Sequence, residues 1–320
     1  MFLGVEIGGT KLQLGLGRGD GRLAGLWRGT VAAADGAAGI RQQIVTALPE
    51  LLTRAGMACA QLRGVGIGFG GPVDDASRTT LTSHQIAGWD RFPLATWFED
   101  WLHLPAALAN DADVAGLAEA LFGAGQRRSP IFYVTVGSGI GGGLILDGTI
   151  YRGSGRGAAE IGHLLLFDPD SGLKPLEQLA SGWAIGGQAR RLAPGDARGQ
   201  TLLRLVDGDP NRLTAAHVAQ AAAEGDELAH AILDRAWDRL AEALAQVIAL
   251  LCPRRIIIGG GVALIGEQRF FQPLRERVAR LVFRPFADCY DIVPAQLGEE
   301  VVVHGALALA RQHAERRGAV

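Results

Sequence analysis

The chain of 320 residues is almost without lysine: its 31 Lys and Arg residues, set against 33 Asp and Glu, are arginine except at Lys11 and Lys174. A Walker A loop closes on Gly-Lys, and neither lysine completes a G-x-x-x-x-G-K run, which excludes that phosphate cradle. Cysteine is scarce as well. Cys59, Cys252 and Cys289 are far apart and form no C-x-x-C pair, so the sequence carries neither a disulfide framework nor a local zinc knuckle, and it suits a reducing cytoplasm. The formal charge of -2 and pI near 6.4 leave no basic stripe for nucleic acid or an anionic membrane. No apolar run is long enough to span a bilayer; the longest, ALAQVIALLC, follows Asp238, Arg239 and Glu242. The opening MFLGVEIGGTK has no basic segment and meets Glu6 early, so a first strand is expected there rather than a secretory signal. H-E-x-x-H and short tandem repeats are absent too. What remains is a cytoplasmic protein for small neutral or anionic ligands, with apolar residues (48%) sufficient for two domains or one two-lobed unit.

What the sequence has in plenty is glycine, 46 residues, gathered in short clusters. Gly8, Gly9, Thr10 and Lys11 form the first, the run 137–143 the second, and Gly259, Gly260 and Gly261 the third. Tight turns are the ordinary explanation; the alternative is phosphate binding, because glycine lets successive backbone N–H groups approach an anion closely. The segment GSGIGG satisfies G-x-G-x-x-G, but a dinucleotide fingerprint must open a helix. Here GGGLILDGTI continues as a second strand into an Asp-Gly turn, so a hairpin tip is expected.

The order of elements is α/β with mixed strand directions. FLGVEIGG, LQLGLG and RLAGLWRGTV predict three strands, GIRQQIVTALPELLTRAG a helix, and LRGVGIGFGGPVD a buried strand. A second cycle follows in PIFYVTVGSGIGGGLILDG, a long helix with Leu228, Ile232, Leu233, Trp237, Leu240, Leu244, Ile248 and Leu251 on one face, the strand RRIIIGGGV, and a closing helix.

Between the cycles stands LANDADVAGLAEALFG. Val114, Leu117, Ala118, Leu121 and Phe122 have the spacing of an amphipathic helix, with Asn110, Asp111 and Asp113 at its start. Capping accounts for one such residue and leaves a catalytic or binding role open for Asp111. Farther on, Glu160 and His163 are three apart and would share a helical face, and Glu177 opens a helical segment. Each has a bland reading as an ordinary surface or core residue.

Taken together, these motifs resemble the ROK sugar kinases of the actin-like ATPase superfamily. VEIGGTK is similar to that family's first phosphate hairpin, VGIGFGGPVD to its Gly-Pro turn on the substrate side, and LANDADVAGLAEA to its Asn-Asp element. TVGSGIGGGLILDG is similar to the second phosphate hairpin, AAEIGH and LEQLASG to the sugar-contacting segments, IIIGGGV to the adenosine-side turn, and HGALALA to the closing helix. The resemblance implies a two-lobed, ribonuclease H-like fold with mixed sheets and an interlobe cleft. It divides the chain into a smaller lobe, 1–115 completed by 305–320, and a larger one, 116–304. It further implies ATP and magnesium as cofactors and a hexose as substrate, glucose at its 6-hydroxyl foremost, with fructose, N-acetylglucosamine and N-acetylmannosamine as alternatives.

By the same resemblance Asp111 is the general base, and Gly71, Asn110, Asp111, Glu160, His163 and Glu177 contact the sugar. Gly8, Gly9, Thr10, Lys11, Gly137, Ser138, Gly139, Gly259, Gly260 and Gly261 contact the nucleotide. A homodimer is implied. Part of the family carries a DNA-binding helix-turn-helix ahead of the first strand; with that strand at Phe2, a repressor is not expected. A sugar-binding protein without activity is the other alternative, and the intact Asn-Asp pair and hairpins argue against it. This chain departs from the family at three places. The cysteine-bearing zinc segment is missing after His163, so no structural zinc is expected. Glu6 stands where aspartate is common, and His84 and Gln85 replace a Pro-Asn pair on the sugar-side loop.

Overall fold

The computed structural model describes residues 1–83 and 85–318. In chain order its regular elements begin with β1 (Phe2–Ile7), β2 (Lys11–Gly17), β3 (Leu23–Thr30), α1 (Gly36–Arg54) and β4 (Val65–Phe69). A small ribbon, β5 (Val73–Asp74) and β6 (Thr79–Thr80), leads to α2 (Leu94–Leu102), β7 (Ala106–Asn110) and α3 (Asp111–Phe122). The next strands are β8 (Ile131–Val136), β9 (Ile140–Leu146), β10 (Thr149–Ile150), β11 (Leu165–Asp168) and β12 (Gly172–Pro175). The helices α4 (Glu177–Ala180), α5 (Gly182–Leu192), α6 (Gln200–Arg204), α7 (Ala215–Ala223) and α8 (Glu227–Leu251) follow. Then come β13 (Arg255–Gly259), α9 (Gln272–Leu281), β14 (Ile292–Pro294) and α10 (Val301–Arg316). Two five-stranded sheets result, ordered β3-β2-β1-β4-β7 and β10-β9-β8-β13-β14.

The chain packs as two compact units. The first takes Met1–Tyr133, Gly143–Ala159 and the chain from Ala295 on; the second takes Val134–Gly142 and Glu160–Pro294. In the first sheet β1, β2 and β3 form an antiparallel meander, while β1, β4 and β7 run parallel. The strands β1 and β4 are buried along their whole length, as expected of parallel strands covered on both faces. One face carries α1, through Ile40, Ile44, Leu48 and Leu51, and the other carries α3 and α10.

That second layer explains glycines which are not turns. Gly66 lies inside β4, where a β-carbon would overlap the carbonyl oxygen of Ala306 in α10. Gly305 of α10 does the same for α3, since a β-carbon there would overlap the carbonyl oxygen of Val114. The expected division at residue 115 therefore falls inside a helix that interlocks with α10, and all of α3 belongs to the first unit. The helix is not amphipathic either. Every residue of α3 from Ala112 to Ala120 is buried, because sheet strands and α10 enclose it on more than one side. Glu119, completely buried, is stabilised there by backbone N–H donors of Ala124, Gln296 and Leu297 at 2.8–2.9 Å.

In the second unit, the apolar face of α8 packs on α7 and α9 and buries Trp237, whose indole N–H donates to the Arg269 carbonyl at 3.0 Å. Among the described residues no helix is long and apolar enough to cross a membrane. The helix contact at Gly305 predicts that Gly305→Ala costs about 1–3 kcal/mol of stability, the usual range for overpacking. Gly195→Ala, with open space around its β-carbon, should be near neutral in the same denaturant titration. Equal stability of the two variants would contradict the packing described.

Candidate functional site

Strand register gathers the candidate residues of the first unit. Ile7 pairs with Phe69 and Phe69 with Asn110, so three adjacent parallel strands end at the same level. Whatever follows each strand is thereby brought side by side: the turn at residues 8–10, the Gly70-Gly71 pair, and Asp111 at the start of α3. Ligands characteristically bind beyond the carboxyl ends of parallel strands for this reason. The Gly8 amide closes the β1–β2 turn on the Lys11 carbonyl at 2.9 Å, and the Gly70 amide donates to the Ile7 carbonyl at 2.8 Å. A β-carbon at Gly70 would stand 3.3 Å from Oδ2 of Asp111 and 3.4 Å from Cα of Gly8.

Asn110 resolves the capping question. Its Oδ1 accepts the Ala112 amide at 2.8 Å, and its Nδ2 donates to the Gly71 carbonyl at 3.0 Å. The cap thus belongs to Asn110, which also locks the Gly70-Gly71 turn to α3. Asp111 occupies the first helical position, where the positive end of the helix dipole favours its anion. Thr10 is exposed beside these residues, and its carbonyl accepts the Val31 amide at 3.0 Å. The Gln85 side chain lies over Gly9, where a β-carbon would overlap it; His84 is outside the described residues.

The electrostatic anomaly of the first unit is Glu6. Only 6% exposed, it pairs with Nζ of Lys11 at 3.0 Å, and its Oε2 has no hydrogen-bond partner. Burial pushes its carboxyl up to about 7; Lys11 opposes that shift, and Asp111 and Glu299 add to it. A buried, half-satisfied carboxylate beside a second acid is costly, and such groups cluster where charge is used. Lys11 also donates to the Glu299 carbonyl at 3.0 Å, so its ammonium is committed as the counter-ion of Glu6 and as a tie to the lead-in of α10.

The other candidates gather in the second unit. Gly137, Ser138 and Gly139 are the tip between β8 and β9, held by the start of α5: the Gly182 amide donates to the Gly137 carbonyl at 2.8 Å and the Trp183 amide to the Ser138 carbonyl at 3.2 Å. Ser181 caps α5 by accepting the Ala184 amide at 3.2 Å. Gly260, with φ of 88°, brings its turn against β8, and a β-carbon there would be 2.5 Å from the Val136 carbonyl oxygen. Gly259 and Gly261 flank it, so the third glycine cluster abuts the strand that leads into the second.

Glu160 and His163 do not share an α-helical face. They bracket a single tight 3-10 turn, Ile161–His163, in which the His163 amide donates to the Glu160 carbonyl at 3.0 Å. Burial pushes the Glu160 carboxyl up; His163 opposes this and Glu177 reinforces it, so both lie near Glu160. Glu177 opens α4, and its Oε2 would be 3.0 Å from a β-carbon on Gly139. The acid, the imidazole, the second acid and the glycine tip are therefore one neighbourhood. Among the described residues no group of three or more His, Cys, Asp and Glu side chains is placed to hold a metal ion by itself.

This architecture is that of the two-domain actin-like ATPases. More narrowly, the sequence pattern of the ROK family matches residues 2–313, and the chain belongs to that family. It is 30% identical to a glucokinase of Thermotoga maritima over 318 residues, 97% of each chain. It superimposes on a ROK family glucokinase from Streptomyces griseus, determined in complex with glucose and AMPPNP, with a TM-score of 0.81 at 32% identity, covering 97% of this chain and 99% of that one. A ROK hexokinase from Thermus thermophilus gives the same TM-score at 27% identity, covering 98% and 99%.

The Glu6 anomaly makes a pH prediction. Between about pH 4.5 and 7 the folded protein keeps a proton on Glu6 that the unfolded chain has released, so this group's contribution to stability declines as pH rises through that window. Glu6→Gln cannot titrate. The stability of the variant relative to wild type should improve between about pH 4.5 and pH 8 by on the order of 1–3 kcal/mol. A difference that is flat with pH in thermal melts would contradict the raised carboxyl.

Proposed function

We propose that this ROK sugar kinase transfers the γ-phosphoryl group of ATP to the 6-hydroxyl of glucose, with Asp111 as general base. The observation that carries the assignment is the division of labour at the start of α3: Asn110 supplies the cap, so the carboxylate of Asp111 is not needed for it. The positive end of a helix favours the anion, the form that can take a hydroxyl proton. As the new oxygen–phosphorus bond forms and the bond to the β-phosphate oxygen breaks, the proton passes to Asp111 and ADP departs.

The remaining roles follow from chemistry. Glu160, His163 and Glu177 offer acceptors and a donor that suit vicinal hydroxyls, and Asn110 and Gly71 present a fixed turn beside the base. Gly8, Gly9, Thr10, Gly137, Ser138 and Gly139 form hairpin tips suited to phosphate oxygens, and Gly259, Gly260 and Gly261 suit the adenosine side. Magnesium, when bound with ATP, neutralises phosphate charge. Glu6 fits such a hydrated cation, since its buried Oε2 lacks a partner and Mg²⁺ is held by one or two carboxylates plus phosphates and water. No structural zinc is proposed, because the cysteine segment that would hold one is missing from the sequence. A cytoplasmic homodimer completes the reading.

Steady-state kinetics with ATP and magnesium, run on glucose, fructose, mannose, N-acetylglucosamine and N-acetylmannosamine, test the substrate. Glucose should give the highest kcat/KM, with glucose 6-phosphate as product; a higher value for an N-acetylated sugar would reassign it. Asp111→Asn should lower kcat by about two to four orders of magnitude with melting temperature and sugar affinity retained. His163→Ala should instead raise the sugar KM. Turnover of Asp111→Asn close to wild type would remove Asp111 from the chemistry.

A further inference from the structure

The second unit also holds a pair of thiols that none of these roles uses. Cys252 and Cys289 precede β13 and β14, two neighbouring strands that run parallel with Ile256 opposite Ile292. Their approach is fixed by three ties. The Ile256 amide donates to the Asp291 carbonyl at 2.8 Å; the Arg255 guanidinium makes two hydrogen bonds to the Asp291 carboxylate at 2.8 and 2.6 Å; and Arg254 donates to the Cys289 carbonyl at 3.4 Å. Burial pushes the Cys289 thiol up and the neighbouring Cys252 adds to that shift, and both residues are partly exposed.

The backbone at Cys252 is the second observation. This residue ends α8 in the left-handed region, with φ of 42°, and its amide donates to the Ile248 carbonyl at 2.9 Å. Glycine or asparagine is the usual occupant of that position, because a β-carbon is disfavoured there. A chain with 46 glycines nevertheless places cysteine there.

We propose that Cys252 and Cys289 are an oxidation site that closes to an intrachain disulfide when the protein meets a two-electron oxidant such as hydrogen peroxide. Asp288 holds the Cys289 thiol proton, its Oδ1 accepting from Sγ at 3.8 Å, which leaves Cys252 to react first. Its sulfur attacks one peroxide oxygen and the O–O bond breaks, giving a sulfenic acid and one water. The Cys289 sulfur then attacks the Cys252 sulfur; the S–S bond forms, the S–O bond breaks, and a second water leaves with the thiol proton. Two thiols are oxidised and one peroxide is reduced to two waters. Strand pairing brings the two segments side by side, since Cys252 lies four residues before Ile256 and Cys289 three residues before its partner Ile292; a bridge between them asks for Cα atoms about 4.4–6.8 Å apart.

The test uses the full-length reduced protein, treated with hydrogen peroxide and mapped by mass spectrometry without reduction. A crosslinked peptide containing Cys252 and Cys289, with a loss of about 2 Da that dithiothreitol reverses, is the expected result. Cys59→Ser should retain it; Cys252→Ser and Cys289→Ser should each abolish it. Wild-type mapping alone decides the matter if a serine variant does not fold. Sulfinic acids on separate cysteines, a bridge to Cys59, a bridge between chains, or no loss of thiol would each overturn the proposal.

Discussion

Everything proposed for the first unit depends on the common end level of β1, β4 and β7. Parallel pairing with Ile7, Phe69 and Asn110 in line means that three loops leave the sheet at one place, and nothing else in the unit could bring Glu6, Gly70 and Asp111 together across more than a hundred residues of sequence. The pairing has a packing cost. Helices α3 and α10 must lie close against the sheet and each other, which is why Gly66 and Gly305 have no side chain and why even Glu119 had to be given a shell of backbone donors. Register places the candidate groups, and close helix packing keeps the register.

The second unit uses a different device for the same end. Its glycine tip at residues 137–139 is not free; amides at the start of α5 hold it, and Ser181 holds the start of α5. Glu177, Glu160 and His163 are then tied to that tip through short elements, a four-residue helix and a single 3-10 turn, rather than through a long helix. Short elements take their geometry from neighbours, so these positions depend on the tip being fixed. Both units therefore present polar side chains on backbone that is fixed before any ligand arrives, the arrangement phosphoryl transfer needs when positioning and charge carry the chemistry.

The sequence disclosed the order of elements and most of the candidate residues, because strand alternation, helical spacing and Gly-rich turns are local signals. The rejection of GSGIGG as a dinucleotide fingerprint rested on the strand-forming residues after it, and β9 is that strand. What escaped was long-range. The stripe Val114, Leu117, Ala118, Leu121, Phe122 suggested one buried face for α3, but α10 arrives from nearly two hundred residues away and covers another. Gly66 and Gly305 give no turn signal, since their reason is a helix that the local sequence does not show. Glu160 and His163 have helical spacing by number alone; Gly162, whose missing side chain lets the turn pass over Ile140, was the one local hint. The burial of Glu6 was legible only as a strand position, and its raised carboxyl required the neighbours Lys11, Asp111 and Glu299 to be seen.

The central claim is that the Asp111 carboxylate receives the proton of the hydroxyl that is phosphorylated. It is tested most directly by the crystal structure of this protein with glucose and a non-hydrolysable ATP analogue, read at one distance. The account predicts the 6-hydroxyl oxygen within about 2.6–3.2 Å of an Asp111 carboxylate oxygen, with the Asn110 cap intact. A sugar bound with that hydroxyl against another residue, and Asp111 turned to an amide or an arginine instead, would contradict it.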